Sequence, residues 1–398
     1  MRLHTRTTTH ALTSATVLAL AATLVVAGCS ANNSGGGASP SASGPSATPS
    51  LPAATAAKLQ AALDQTRAKF GFPGVQAGVW SPKGMWIGTS GTAAQGQDRP
   101  ITIADHTRVG SITKTFTVTA LLQQVQAGTM SLDDPIEKYV PGMPNGQIAT
   151  LRNLASMTSG IPSYTENNSF TDQLFANPSS LWLPQQLVDF VKGQKPMFVP
   201  GTKFYYSNTN TVLLGMAIQS ATGKPIENVF QQGILIPLGL TGTSFPGVSA
   251  AIPSPYLSGV TEQGNPEGGV KDATNWNPSW GFTAGEMIST LNDLHTWAVA
   301  LATGRGILDE KTQKIRLDSL KNTVPPNNAQ KAYGLGFGIA NGWIGHTGEL
   351  PGYNTVINYN PKTETAVVIM VNSDIAKGKQ NPAPAVFDAI VPIIAPSS

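Results

Sequence analysis

Arg108-Val109-Gly110-Ser111-Ile112-Thr113-Lys114 sets a serine and a lysine three residues apart, at the head of a run without helix breakers that stops at Gly128. That run, 111–127, is rich in Phe, Val, Leu and Gln and predicts a mostly buried helix. Residues i and i+3 of a helix share a face one turn apart, so the Ser111 hydroxyl and the Lys114 amine meet. A serine in the first turn also feels the helix N-terminus, which favours developing negative charge. An amine that is desolvated and neutral can draw off the hydroxyl proton and turn Ser111 into a nucleophile. Alone the pair carries little, because a chain of 398 residues produces such spacings by chance. A surface serine beside a solvated lysine would look the same.

Two more clusters carry chemistry. Tyr206-Ser207-Asn208 follows Pro200-Gly201-Thr202-Lys203-Phe204-Tyr205 and leads into a helical run, 211–221. A tyrosine hydroxyl beside a lysine can act as general base and later as the acid that protonates a leaving group. The Asn208 amide, two residues on, can hold a substrate carbonyl. His346-Thr347-Gly348 ends a predicted strand and precedes Glu349-Leu350-Pro351-Gly352-Tyr353. A glycine beside a strand lets a substrate backbone come close, and the backbone N–H that follows it can stabilise an oxyanion. Each cluster has a plainer alternative in a buried structural tyrosine or a packed histidine.

Ser-x-x-Lys, Tyr-x-Asn and His-Thr-Gly in this order resemble the motifs of the penicillin-recognising serine enzymes, the first opening a helix and the last on a late strand. The chain is similar to the D-alanyl-D-alanine carboxypeptidase and class C β-lactamase branch, where Tyr-x-Asn replaces Ser-x-Asn. The flanks agree: Arg108-Val109-Gly110, 154–162 (LASMTSGIP), Tyr205-Tyr206-Ser207-Asn208, and 284–290 (AGEMIST) with Asp293-Leu294. The likeness runs from about residue 55 to 395. It implies that Ser111 is the acylated nucleophile, with Lys114 and Tyr206 sharing proton transfer. It implies an oxyanion hole from the backbone N–H groups of Ser111 and Glu349, and substrate binding by Asn208, His346, Thr347 and Gly348. Trp280, just before 281–285, is expected either as a cleft wall or as a core tryptophan. His346 stands where β-lactamases of this branch carry lysine, and histidine there is more typical of carboxypeptidases, esterases and other hydrolases of the group. No arginine lies between Tyr333 and Tyr353, where some carboxypeptidases keep a carboxylate-binding guanidinium.

The implied activity is that of a cell-envelope serine hydrolase, in the first instance a D-alanyl-D-alanine carboxypeptidase-like peptidase. The alternatives are an esterase or weak β-lactamase of the same fold, and a non-catalytic lipoprotein that binds peptidoglycan peptides. The expected partners are a small peptide, ester or β-lactam substrate and a membrane, with no metal and no organic cofactor implied.

The rest of the chain fits export. Arg2 and Arg6, the apolar run 17–28 and Val26-Ala27-Gly28-Cys29 read as a signal peptide ending in a lipobox. The apolar run is short for a membrane span, which takes about 20 residues. Cys29 is the one cysteine of the chain, so an intramolecular disulfide is excluded, and a lipid thioether is the expected use of its thiol. Residues 29–53 then form the lipidated cysteine and a flexible Gly/Ser/Pro tether, too poor in apolar side chains to order itself. Charged residues make up 12 % of the chain and the formal net charge is +3. That balance excludes nucleic-acid capture, which calls for a dense basic face.

The expected fold is α+β in a hydrolase domain over 54–396. A helix is predicted at 54–70, a hairpin at 75–80 and 85–90, and helices at 181–191, 211–221 and 291–302. Strands are predicted at 334–339, 343–346, 353–359 and 365–372, with a closing helix at 384–394. Strands at both ends of the chain pair into one mainly antiparallel sheet flanked by helices, and the middle, about 130–300, becomes an inserted helical lobe. This is the arrangement of the β-lactamase/DD-peptidase fold. Cys29→Ser is expected to move the protein from the membrane fraction to the soluble fraction of cells expressing the full chain, as read by fractionation and immunoblotting.

Overall fold

Residues 365–371 (TAVVIMV) are apolar at almost every position, a pattern that suits a strand covered on both faces. The computed structural model describes residues 49–265, 267–321 and 324–395, all within the unit Thr48–Ser398. Cys29 and most of the tether lie outside the described residues.

The strands are β1 (Gly74–Ser81), β2 (Gly84–Gly91), β3 (Thr107–Arg108), β4 (Val260–Thr261), β5 (Lys271–Asp272) and β6 (Ile288–Ser289). They continue with β7 (Lys331–Tyr333), β8 (Gly338–Ala340), β9 (Trp343–Leu350), β10 (Tyr353–Asn360) and β11 (Thr365–Val371). The helices in the first half are α1 (Ala53–Phe70), α2 (Thr113–Gln126), α3 (Leu151–Ala155), α4 (Asn168–Ala176), α5 (Pro184–Asp189) and α6 (Asn208–Thr222). The rest are α7 (Ile226–Phe230), α8 (Ile236–Leu238), α9 (Leu291–Thr303), α10 (Glu310–Asp318) and α11 (Pro382–Ile394).

One seven-stranded antiparallel sheet has the order β2-β1-β11-β10-β9-β8-β7. The first hairpin of the chain therefore pairs with its last strand, Val75 opposite Val371 and Trp80 opposite Ala366. The strand period of two sorts β11 cleanly. Val367, Ile369 and Val371 face a core built with α1 and α11, through Leu59, Leu63, Val386 and Ile390. Ala366, Val368 and Met370 face the larger core that holds α2, α6 and α9. There Phe116 stacks on Trp297 at 3.8 Å, and the Trp297 indole N–H donates to Thr115 Oγ1 at 2.7 Å.

Two sequence expectations are corrected. The predicted strand 334–339 is instead two short strands, β7 and β8, with a bend between them. Gly336 has φ +80°, and a Cβ there would sit 2.5 Å from Val118 Cβ, so the chain turns to pass over α2. The predicted helix 181–191 shrinks to α5, because Pro184 takes its first position and disfavours helical geometry at Leu183. Trp297→Ala should cost about 3–5 kcal/mol, since it empties a fully buried, stacked site. A lowered urea midpoint with an unchanged slope is the expected reading.

Candidate active site

α2 is buried along its first ten residues, Thr113 to Leu122, and Lys114 is among them with no exposed surface. An ammonium in such surroundings costs several kcal/mol unless it is paired, and no carboxylate pairs with this one among the described ion pairs. Desolvation therefore drives the Lys114 amine well below its ordinary pKa. Lys114 Nζ lies 2.8 Å from Ser111 Oγ and 2.6 Å from Ala284 O. The carbonyl can only accept, so it takes an N–H of the amine and leaves the lone pair for the serine proton.

Ser111 sits in a short 3₁₀ turn, Gly110–Ile112, that leads into α2, and it lines a cleft of about 1020 Å³. Two glycines bring β9 against this turn. A Cβ on Gly348 would stand 1.9 Å from Val109 O, and one on Gly110 would stand 2.5 Å from Glu349 N. Only bare backbone fits, and Gly110 also takes φ +53°. The Glu349 N–H is thereby set beside Gly110, one residue from the Ser111 N–H. Two backbone donors at the nucleophile are what an oxyanion hole requires.

Tyr206 comes from the segment just before α6 and lines the same cleft as Ser111. Lys114 Nζ lies 5.1 Å from the centre of its ring. Burial raises the Tyr206 pKa, so the phenol keeps its proton at neutral pH. The loop 156–163 fixes this segment. Tyr205 N–H donates to Met157 O, Ser207 Oγ and Thr209 Oγ1 donate to Pro162 O, and Ser159 Oγ donates to Asn210 Oδ1. The flanking stretch 154–162 thus supports Tyr206 instead of entering the cleft itself.

The 281–289 segment clamps α2 from the other side. Thr117 Oγ1 donates to Thr283 O at 2.7 Å, Met287 N–H to Thr113 Oγ1 at 3.1 Å, and β3 pairs with β6 through Arg108 and Ile288. Its Glu286 carboxyl is buried and pushed up to about 8 by desolvation.

The remaining predicted residues divide. His346 and Thr347 line the cleft, while Gly348 is buried against Val109. The Glu349 side chain turns toward α11, where its carboxylate accepts from Asn381 Nδ2 at 2.5 Å. Asn208 spends one Nδ2 hydrogen on Thr165 Oγ1 at 2.9 Å, and its backbone N–H donates to Ser163 Oγ at 3.1 Å. Trp280 is not among the residues lining the main cleft. Its ring packs 6.1 Å from Phe170, and it lines a small separate cavity with Arg108, Leu350 and Pro351.

Two cleft residues, Phe204 and Tyr333, escape sequence reasoning. Tyr333 sits 13 positions before His346 with no spacing rule to connect them, and only the β7–β8–β9 meander brings them together.

Residues 59–389 match the family model described as Beta-lactamase. The chain belongs to this family. The resemblance carried by the three motifs is thus borne out, as is the expected α+β fold. Among solved structures, the D-stereospecific amidohydrolase from Streptomyces sp. is 32 % identical with a TM-score of 0.75, over 86 % of this chain and 99 % of that one. The D-amino acid amidase from Ochrobactrum anthropi SV3, complexed with D-phenylalanine, is 28 % identical with a TM-score of 0.75, over 87 % and 100 %. PbpX of Bacillus subtilis (strain 168), a protein named for penicillin binding, is 27 % identical over 266 residues. That alignment takes in 66 % of this chain and 61 % of PbpX, so the chain spans about three fifths of that relative's length. The family is one of serine hydrolases.

Gly348→Ala should drive β9 away from the Val109–Gly110 turn and displace one oxyanion donor. Acylation by an activated ester is expected to fall about a hundredfold, and the thermal midpoint should fall with it because β9 has to shift.

Proposed function

We propose that this protein is a hydrolase that forms an acyl-enzyme on Ser111 and cleaves an amide bond at the carbonyl of a D-configured residue. The observation that carries the reading is the Lys114 amine, sealed from water and within 2.8 Å of Ser111 Oγ. In the resting site the amine is the base, because burial lowers its pKa while it raises that of the Tyr206 phenol. Lys114 takes the Ser111 proton as Oγ bonds to the substrate carbonyl carbon. The Ser111 and Glu349 N–H groups hold the oxyanion of the tetrahedral intermediate. Tyr206 gives its proton to the leaving nitrogen and takes back the proton that Lys114 holds as the acyl-enzyme forms. Water then attacks the ester, with the same groups running in reverse.

The D-amide class is supported by the two amidohydrolase structures, which match nearly end to end. D-alanyl-D-alanine peptides fall within it, since their scissile bond also follows a D-residue carbonyl. An amide without a terminal carboxylate is favoured over a carboxypeptidase substrate by His346, whose imidazole is pushed down to about 4 by burial and by Lys114 and is neutral at pH 7. We also propose that the enzyme acts at the outer face of a bacterial membrane, held through Cys29 by the tether read from the sequence.

A panel of D-amino acid amides, their L-counterparts, a D-Ala-D-Ala peptide, p-nitrophenyl esters and nitrocefin tests the reading. D-amide turnover with a Ser111 adduct by intact mass is expected, and both should vanish in Ser111→Ala. Equal turnover of D- and L-amides, or full activity in Ser111→Ala, would overturn it. The acylation rate should rise with pH as Lys114 loses its proton and level off well below pH 10.5, falling away as pH drops through the lowered pKa. Lys114→Met should abolish that acid limb along with most of the rate.

A further inference from the structure

His346 has two ring nitrogens and both are engaged. Nδ1 faces Thr347 O, and Nε2 lies 3.0 Å from the Tyr333 hydroxyl. A carbonyl only accepts, so Nδ1 carries the proton, and a neutral imidazole has one N–H. Nε2 must then accept, and the donor is the Tyr333 O–H. Having given up its single proton, the Tyr333 oxygen has only lone pairs for anything else that reaches it. Tyr333 and His346 both line the cleft that holds Ser111.

Ring packing holds the arrangement in place. Tyr333 meets Tyr206 edge-on, with centroids 6.0 Å apart at 88°, and meets His346 edge-on at 5.6 Å and 82°. Tyr206 lies 6.2 Å from His346. The catalytic tyrosine, the histidine and Tyr333 thus form one cluster. The groups acting on His346 are Lys114 from α2, Tyr206 from the segment just before α6, Tyr333 from β7 and Thr347 of its own strand. Lys331, the one cationic side chain among the cleft-lining residues, is exposed at the head of β7. A protonated His346 would need its Nε2–H to be accepted by Tyr333 while facing Lys114, and burial together with Lys114 opposes that charge.

We propose that Tyr333 is a specificity-determining residue, which locks His346 as the neutral Nδ1–H tautomer and presents its own oxygen as an acceptor in the cleft, so that the enzyme selects substrates offering an N–H donor there over substrates offering a carboxylate. This rests on the acyl-enzyme reading above for where substrate lies. It names the chemistry of the accepted leaving side: an amide N–H, as in primary amides of D-residues. A lysine in place of His346 would make the opposite choice, since an ammonium has donors and charge but no acceptor.

Tyr333→Phe keeps the ring and deletes the hydroxyl. With ¹⁵N-labelled histidine, and His346→Gln to assign the signal, wild-type His346 should show a protonated Nδ1 and a hydrogen-bonded, unprotonated Nε2 at pH 7. In Tyr333→Phe the Nε2 resonance should move to its unbonded position and the imidazole should titrate at higher pH. An unchanged His346 spectrum in this variant overturns the lock. Specificity is read without turnover, as the ratio of affinities of Ser111→Ala for D-phenylalanine amide and for a D-Ala-D-Ala peptide. Adding Tyr333→Phe should lower that ratio about tenfold, the scale of one hydrogen bond in a dry site. An unchanged ratio overturns the selective role. If the unaltered enzyme turns over neither compound, the proposed function fails while these two readings still decide the role of Tyr333.

Discussion

An amine kept away from water beside a hydroxyl is the constraint from which the rest of this structure follows. Lys114 functions as a base only while its neutral form is favoured, and desolvation is what favours it. α2 therefore has to be covered on every side over its first three turns. α6 covers one side and the 281–289 segment another, with Ala284 O accepting from the amine. β9 crosses the turn where α2 begins. The sheet, with helices on both faces, holds these elements at fixed distances from one another.

The second requirement is closeness without side chains. An oxyanion hole of two backbone N–H groups forms only if β9 lies almost on the Val109–Gly110 turn. Gly110 and Gly348 make that possible, because any Cβ at either place would overlap backbone atoms of the other strand or turn. The reactive corner is thus backbone against backbone, with Ser111, Tyr206, His346 and Thr347 facing the cleft around it. Tyr333 adds a layer behind His346 and turns a residue that could titrate into one with both nitrogens committed.

Much of this was legible along the chain. Apolar runs at strand and helix spacing located β1, β2, β9, β10, β11, α1, α2, α6, α9 and α11 to within a few residues, because those elements bury continuous stripes or faces. Ser111 and Lys114 were legible because i and i+3 neighbours meet on any helix. Segments whose shape depends on a distant partner were misread. The bend at Gly336 exists because Val118 of α2 lies beneath it. For Trp280 the sequence left a cleft wall and a core position open, and its packing against Phe170 is the core alternative.

The sequence by itself determined which groups are chemically available and in what local geometry: a serine one helical turn from a lysine, a tyrosine at a helix start, and glycines where backbones must touch. Those are properties of periodicity and of missing side-chain atoms, and they hold in any folded context. Tertiary structure decided which of these groups share a site and what state they are in. The lowered basicity of Lys114, the tautomer of His346 and the reach of Tyr333 to it all depend on burial and on through-space partners 13 to 170 residues away. Such effects act across space, and the order of residues along the chain carries no measure of that distance.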